Sequence, residues 1–250
     1  MDKKKLEVFI RKYNLGGNIE GVIWTNENGD LATTAMTSDK KLFASVVLEK
    51  GASFFPAGTD IGIQDTTKLK KMLNSVGDNV TLSLDVDEND ATRVRLLKAD
   101  DGNNTMKFVT AQKDVLNAIP KMKNIPSYTV EILLTPKFAE SFSKSYSAIG
   151  DPNTLFTLVM SKKKQKLEVV LGYKQQLSDC IEIGVETTTG KDTVKDPISF
   201  SANALKEILA ANSEVEDATL SVSESGLASV SFKKDDFKSQ YYLVKIEVED

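Results

Sequence analysis

The residues of this sequence with the clearest chemical potential are lysines and arginines spaced along four predicted helices. Those helices are expected at about 2–13, 66–76, 136–149 and 201–212, and they hold eleven Lys and Arg against four Asp and Glu. Their net charge is therefore +7, in a chain whose net charge is −4. Basic helix faces inside an acidic protein concentrate positive potential that the net charge hides. This pattern indicates a surface that binds phosphate groups.

The sequence has few of the residues that catalysis, metal binding or disulfide formation usually needs. The chain has no histidine, the commonest general base and metal ligand, and its one cysteine, Cys180, cannot build a disulfide framework. We therefore assign no catalytic residue, no metal site and no cofactor, and we expect a protein that is not an enzyme. An enzyme that works with Asp, Glu and Lys alone stays open as a weaker alternative. Cys180 itself reads as a small core or edge-strand residue, and a single cysteine fits a reducing cytoplasm.

The basic side chains of these helices fall outside the apolar stripes. In the first helix the stripe is formed by Leu6, Phe9, Ile10 and Tyr13, at spacings of three and four residues. The side chains predicted to meet DNA phosphates are Lys4, Lys5, Arg11, Lys12, Lys68, Lys71, Lys137, Lys144 and Lys206. No recognition helix and no ladder of aromatic residues accompanies them, which favours non-specific contact with duplex DNA. The plainer interpretation of each helix alone is a solvated face.

The chain repeats one plan. A helix at 66–76 precedes a strand at 80–86, and a helix at 201–209 precedes a strand at 218–222. Each half alternates strands with two helices, which indicates a duplicated α+β architecture. We expect a first domain at 1–111 and a second at 128–250. Residues 112–127, with prolines and little periodicity, are expected to form an extended connector between them.

Several segments, taken in order, resemble the DNA sliding clamps. The segment 241–250, Tyr-Tyr-Leu-Val-Lys-Ile-Glu-Val-Glu-Asp, resembles the closing strand and acidic tail of proliferating cell nuclear antigen. Ala35-Met-Thr-Ser-Asp39 followed by Leu42 is similar to a turn in its first domain, and 205–209 with 226–232 is similar to its second-domain helix and hairpin. A start at a helix, without a preceding strand, looks like the tailed-phage clamps.

This resemblance implies a fold and a role. The fold is the DNA clamp fold, α+β, with two similar domains that each pack two helices on antiparallel sheets. The role is that of a ring-shaped homotrimer that encircles double-stranded DNA and tethers the replicative polymerase for processive synthesis. The implied partners are DNA, further copies of the chain, a polymerase C-terminal peptide and a clamp loader. The implied location is the cytoplasm, or the host cytoplasm if a phage encodes the chain.

The resemblance also implies two surfaces. The strands at 105–111 and 179–186 match the family's subunit edges, with interface residues Met106, Phe108, Cys180, Glu182 and Ile183. A partner-peptide groove would be formed by Met36, Ile119, Met122, Ile125, Pro126, Tyr242 and Val244. The connector residues of that groove would stand in water in a free loop, which is why a peptide partner suits them. Alternatively, they only fasten the connector to the sheets.

Two other functions remain open on the sequence alone. One is a monomeric polymerase accessory factor of similar fold that binds DNA on one open face. The other is a phage structural protein with two domains. No apolar run approaches the roughly 20 residues that a membrane helix needs, so no membrane partner is expected.

Overall fold

The structure is a computed structural model that describes residues 2–88, 90–116, 119, 125–151, 153–161, 165–174, 179–188, 194–215 and 218–247. Among the predicted site residues, Met122 lies outside these ranges.

All four predicted helices are confirmed, each close to its expected bounds. They are α1 (Lys3–Asn14), α2 (Thr66–Leu73), α3 (Pro136–Ile149) and α4 (Ala202–Ala211). Each starts where a side-chain oxygen accepts from an amide of the first turn, which satisfies a donor that has no partner inside the helix. The four capping residues are Asp2, Asp65, Thr135 and Ser201.

Fifteen strands are present in the described part of the chain. They are β1 (Val22–Glu27), β2 (Asp30–Met36), β3 (Leu42–Leu48), β4 (Asp60–Ile63), β5 (Thr81–Asp87), β6 (Asp90–Asp100), β7 (Thr105–Val109), β8 (Val130–Leu133), β9 (Leu155–Ser161), β10 (Lys166–Leu171), β11 (Ile181–Gly184), β12 (Ile198–Ser201), β13 (Thr219–Val222), β14 (Leu227–Lys234) and β15 (Phe237–Val244). Single 3-10 turns lie at Leu15–Gly17 and Lys113–Val115.

The described chain divides into two compact units. The first unit comprises residues 1–37, 44–120 and 233–239, and the second comprises 38–43, 121–232 and 240–250. Compared with the predicted domains, residues 38–43 belong to the second unit and residues 233–239 belong to the first. The domain boundaries stay a prediction. In the first unit the strand order is β5-β6-β4-β1-β2-β3, with β7 on β6. The second has the order β15-β14-β13-β8 and a separate four-stranded sheet, β11-β10-β9-β12. The predicted α+β class is confirmed.

The first unit buries the stripe of α1 against its sheet. Leu6, Phe9, Ile10 and Tyr13 are fully buried, and the Phe9 ring meets the Trp24 ring edge-on at 5.8 Å. Each such side chain contributes roughly 1.5–3 kcal/mol when it leaves water. The Trp24 indole N–H donates to the Tyr13 hydroxyl at 3.3 Å, so its buried polar atom is satisfied. Burial raises the pKa of that tyrosine, which therefore stays neutral.

The second unit repeats this arrangement with phenylalanines. Phe142 of α3 meets Phe156 of β9 edge-on at 5.8 Å, and Phe156 stacks on Phe200 of β12 at 5.3 Å. The Asn212 amide, just after α4, donates to the Tyr241 hydroxyl at 3.0 Å. Both units thus hold a helix pair on a sheet by an aromatic core. No helix in the described part of the chain is long and apolar enough to cross a membrane.

Candidate nucleic-acid interface and partner surfaces

The helix pair of the first unit carries a dense set of exposed basic side chains. Lys4, Lys5 and Arg11 are exposed on α1, and Lys68 and Lys71 are exposed on α2. Lys3 of α1 is a buried residue whose ammonium donates at 2.7 Å to the carbonyl of Val76, in the turn that follows α2. Lys3 therefore has a structural role, and the five exposed cations form what we call the first basic face.

The cations of the first basic face differ in how they are paired. Lys4 lies 3.3 Å from Asp78, but both side chains are about 70% exposed, so the pair is worth little. Lys5 forms a close ion pair with Asp236, which raises the pKa of Lys5 and lowers that of the carboxyl. Among the described residues no carboxylate lies within 4.0 Å of the ammonium of Lys68 or Lys71. These two lysines are the most available for phosphate.

Lys12 is a correction to the sequence prediction. Its side chain is 1% exposed, and its ammonium lies 5.6 Å from the centre of the Phe237 ring, in a cation–π arrangement. A cation buried in this way is not presented to a phosphate on the solvent side of the helix. Lys12 therefore leaves the candidate DNA-binding set.

The helix pair of the second unit has fewer cations, and most of them are neutralised locally. Lys144 pairs with Glu140 one turn earlier in α3, at 2.5 Å. Lys206 of α4 pairs with the adjacent Glu207 at 2.9 Å and lies 5.5 Å from the centre of the Tyr146 ring. Lys137 is exposed, and no carboxylate of the described chain pairs with it. We call Lys137, Lys144 and Lys206 the second basic face.

The two strands predicted as subunit edges do lie at sheet edges. β7 pairs with β6 alone among the described strands, and β11 ends the four-stranded sheet beside β10. An unpaired strand edge exposes a row of amides and carbonyls that can pair with another chain. Both strands are therefore free to pair with another copy along one side, and that assembly stays a prediction.

The side chains predicted at these edges need correction. Met106, Phe108 and Ile183 are buried inside their own units, at 4%, 4% and 7% exposure, so their side chains belong to the core and are not presented to another subunit. The exposed residues of β7 are Thr105, Lys107 and Val109, and Val109 is 74% exposed. Cys180 and Glu182 are exposed, as an interface role requires.

The backbone of β7 shows which of its amides are open. Thr110 donates to the Arg95 carbonyl at 3.1 Å, so its amide points toward β6. Backbone groups alternate in direction along an antiparallel strand, so the amides of Lys107 and Val109 point the opposite way. Two residues on, at Ala111, that same side is closed, because its amide donates to the Gly62 carbonyl of β4 at 2.8 Å. A groove of about 780 Å³ flanks this strand, with Lys68, Lys107 and Val109 in its wall.

The start of the predicted connector is held on the first unit by two glycines that sequence reasoning did not single out. A Cβ added to Gly21 would lie 3.3 Å from the Leu116 side chain, and one added to Gly62 would lie 2.3 Å from the Ala111 carbonyl oxygen. Lys113 also forms an ion pair with Asp60, which raises the pKa of the lysine. A glycine inside a strand often marks such a close approach, so Gly62 was the available signal.

The predicted groove residues are found in both units, and each is described in its own. In the first unit Met36 is half-buried, and half-buried Ile119 lines a groove of about 460 Å³ together with Leu116 and Lys113. In the second unit Ile125 is 52% exposed, Pro126 is half-buried and Val244 is exposed.

Tyr242 belongs to an apolar patch of the second unit. Its ring lies 5.9 Å from that of Phe43, and partial burial raises its pKa, with nearby Tyr128 adding to the effect. With Val244 these residues form what we call the aromatic patch: Phe43, Tyr128, Tyr242 and Val244. Aromatic side chains left partly in water are common anchors for a bound peptide.

Comparisons with known proteins identify similar folds among solved structures. No protein-family model and no curated protein matches the chain. Among solved structures it is similar to proliferating cellular nuclear antigen from Entamoeba histolytica, at 19% identity and a TM-score of 0.70, over 98% of this chain and 96% of the other.

Two further solved structures give similar TM-scores. One is the PCNA2–PCNA3 complex from Sulfolobus tokodaii, at 12% identity and a TM-score of 0.68, over 98% and 97% of the two chains. The other is A. fulgidus PCNA bound to the C-terminal region of FEN-1, at 14% identity and a TM-score of 0.71, over 100% and 98%. The chain therefore has the sliding-clamp fold along its whole length.

Proposed function

We propose that this chain is a sliding clamp, a non-catalytic protein that closes into a ring around duplex DNA and tethers a polymerase. One fold can host different functions, so the proposal rests on the charge of the helices as well as on the fold. The observation that carries the proposal is the charge of the helices, which hold eleven Lys and Arg against three Glu, for a net +8 in a chain of net −4. Such a surface suits DNA phosphates without reading bases.

The exposed charges of the two strand edges support head-to-tail assembly. Lys107 is the exposed charged residue of β7, whereas Glu182 lies on β11 and Asp179 lies just before it. Pairing β7 with β7, or β11 with β11, would bring like charges together, which destabilises a sheet. Pairing β7 of one copy with β11 of the next brings opposite charges together and covers Val109. A repeated head-to-tail contact closes a ring when the rotation allows it, and the sliding-clamp likeness favours three subunits.

The partners follow from the ring. A closed ring needs a clamp loader to open it around DNA, and it needs an anchor for the polymerase. The A. fulgidus structure holds the C-terminal region of FEN-1, which supports a peptide-binding role for a protein of this fold. We assign the aromatic patch to the polymerase C-terminal peptide, with Ile125 and Pro126 as further groove residues from the second unit. Met36 and Ile119 of the first unit stay candidates for the same peptide, and the ring acts in the cytoplasm.

Two measurements test the proposed function together. Multi-angle light scattering should give the mass of three chains, and fluorescence anisotropy should show DNA binding that weakens steeply with salt and does not depend on base sequence. A monomer with the same DNA binding would indicate the open-face accessory factor instead. A protein that does not bind DNA even at low salt would contradict both and favour a structural role.

Replacement of Tyr242 by alanine should weaken binding of the polymerase C-terminal peptide about tenfold, because an aromatic anchor contributes roughly 1.5–3 kcal/mol when fully buried. Calorimetry with the parent and the variant measures this difference. The matched control is Tyr173→Ala, which removes another half-buried tyrosine of the same unit outside the aromatic patch. If Tyr242→Ala binds as tightly as Tyr173→Ala, the peptide site is elsewhere.

A further inference from the structure

The two helix pairs do not carry equal charge. Helices α1 and α2 hold eight Lys and Arg against one Glu, a net charge of +7. Helices α3 and α4 hold three Lys against two Glu, a net charge of +1. The repeated architecture therefore presents two helix pairs of very different net charge.

Burial reduces the first pair only partly. Lys3 and Lys12 are buried, which leaves the first basic face of Lys4, Lys5, Arg11, Lys68 and Lys71 at the surface. Half-buried Lys70 adds a sixth cation, with its ammonium 3.5 Å from the Asn14 amide oxygen. Only Glu7 opposes them within the two helices. Outside the helices Asp78 pairs with Lys4 and Asp236 pairs with Lys5, whereas Lys68 and Lys71 have no carboxylate within 4.0 Å among the described residues. The first unit therefore keeps an excess of positive charge, carried mainly by α2.

Local acids cancel much of the second pair. Glu140 stands three residues after Lys137 and four before Lys144, so all three side chains share one exposed side of α3. The hydrogen bond from the Lys144 ammonium lowers the pKa of the Glu140 carboxyl, so this carboxyl is ionised at neutral pH. Lys206 has Glu207 beside it and an aromatic ring beneath it. A phosphate that approaches this surface meets almost as much negative charge as positive.

We infer that duplex DNA is held by the first basic face, that the second basic face passes along it with little net attraction, and that Glu140 keeps the second contact weak. The inference rests on the proposed function and specifies which part of the chain holds the DNA. As a physical consequence, the first unit of each copy in an assembly would attract DNA strongly, and the second unit would attract it only weakly. This arrangement leaves the duplex less tightly bound than two equal basic faces would.

Matched charge removals in the two units test this inference. Lys68→Gln with Lys71→Gln removes two exposed cations from the first unit, and Lys137→Gln with Lys144→Gln removes two from the second. Anisotropy on a short labelled duplex across a salt series gives both the affinity and its salt slope. Each lost phosphate contact reduces the slope by about 0.9, so the first pair should lower the slope by about 2 and the affinity roughly ten- to a hundredfold near 0.1 M salt. The second pair, whose positive charge is already offset in part by Glu140, should lower the affinity only several-fold and the slope by about one at most.

Glu140→Gln supplies a change in the opposite direction. Removal of this carboxylate should raise the affinity several-fold and steepen the salt slope by about one phosphate contact. Light scattering and thermal unfolding of every variant establish that assembly and folding match the parent. Equal losses from the two lysine pairs, or an unchanged affinity in Glu140→Gln, would overturn the inference and leave the proposed function standing. If the parent protein does not bind duplex DNA, the proposed function fails first.

Discussion

Replacing Lys107 by proline should convert the assembled protein to a monomer while each unit stays folded. The Lys107 amide points to the open side of β7, so proline removes a donor that the strand does not use internally. Proline is tolerated on edge strands in this orientation. In the proposed ring the same amide pairs with the next subunit, and an orphaned acceptor there costs about 1–3 kcal/mol at every interface. Since the ring repeats that contact, the loss of assembly should be nearly complete.

The matched control is Lys107→Ala, which removes the charge and keeps the amide. This variant should assemble with a modestly weaker association, because an exposed opposite-charge pair across strands contributes roughly 0.2–1 kcal/mol. Light scattering over a dilution series compares the two variants, and circular dichroism checks that both are folded. A proline variant that assembles as well as the alanine variant would show that subunits do not pair through β7.

Replacing Gly62 by alanine should destabilise the first unit by about 1–3 kcal/mol, the usual cost of overpacking. The new methyl would stand 2.3 Å from the Ala111 carbonyl oxygen and 3.2 Å from the Leu116 side chain. The first of these neighbours is backbone, which cannot rotate away as a side chain can. We expect the bridge between Gly62 and Ala111 to break and the segment 111–116 to lift from the sheet. Urea unfolding gives the stability, and hydrogen exchange at the Ala111 amide reports the bridge.

Gly184 offers a matched control for this substitution. It also lies within a strand, but no atom would come within 4 Å of an added Cβ, so Gly184→Ala should change the stability by less than about 0.5 kcal/mol. If Gly62→Ala unfolds at the same urea concentration as Gly184→Ala and keeps its Ala111 amide protected, the close approach does not fix this segment.

The helices were predictable because several local signals agree at each of them. In α1 the stripe of Leu6, Phe9, Ile10 and Tyr13 has helical spacing, and Asp2 stands where the first turn needs an acceptor. α3 begins with Thr135 and Pro136, a cap followed by a residue that suits the first helical position. Strand existence followed from period-two alternation in the same way. These signals are local, so the sequence alone carries them.

The burial of Lys12 could not be predicted from local sequence patterns. On a helical wheel it lies on the flank of α1 with Lys5, and nothing near it in the sequence distinguishes the two. Its burial depends on Phe237, more than 200 residues away along the chain, whose ring lies under the ammonium. Long-range packing of this kind leaves no trace in local periodicity. Lys3 is buried for a similar reason, because its partner is the Val76 carbonyl.

The exposed residues of β7, in contrast to Lys12, could have been identified from the sequence. Thr105, Lys107 and Val109 alternate with Met106 and Phe108, so the pattern already separated an outer from an inner face. β7 is an edge strand as predicted, but the predicted contact residues Met106 and Phe108 lie on its buried face. The choice between two faces of an edge strand depends on what covers each, and β7 has the core of the first unit on one face only.

The continuity of β7 with the segment after it has a mechanical consequence. The strand is open at Lys107 and Val109, and the same side is fastened to Gly62 at Ala111. Extended backbone has almost no slack, so a pull applied at the open side reaches Ala111 within a few residues. In the proposed ring, separation of two subunits at β7 would therefore strain the contacts that Leu116 makes with Gly21 and Gly62. Coupling between two sites is reciprocal, so a protein that binds and stabilises the segment 111–116 would also make the proposed subunit interface harder to open.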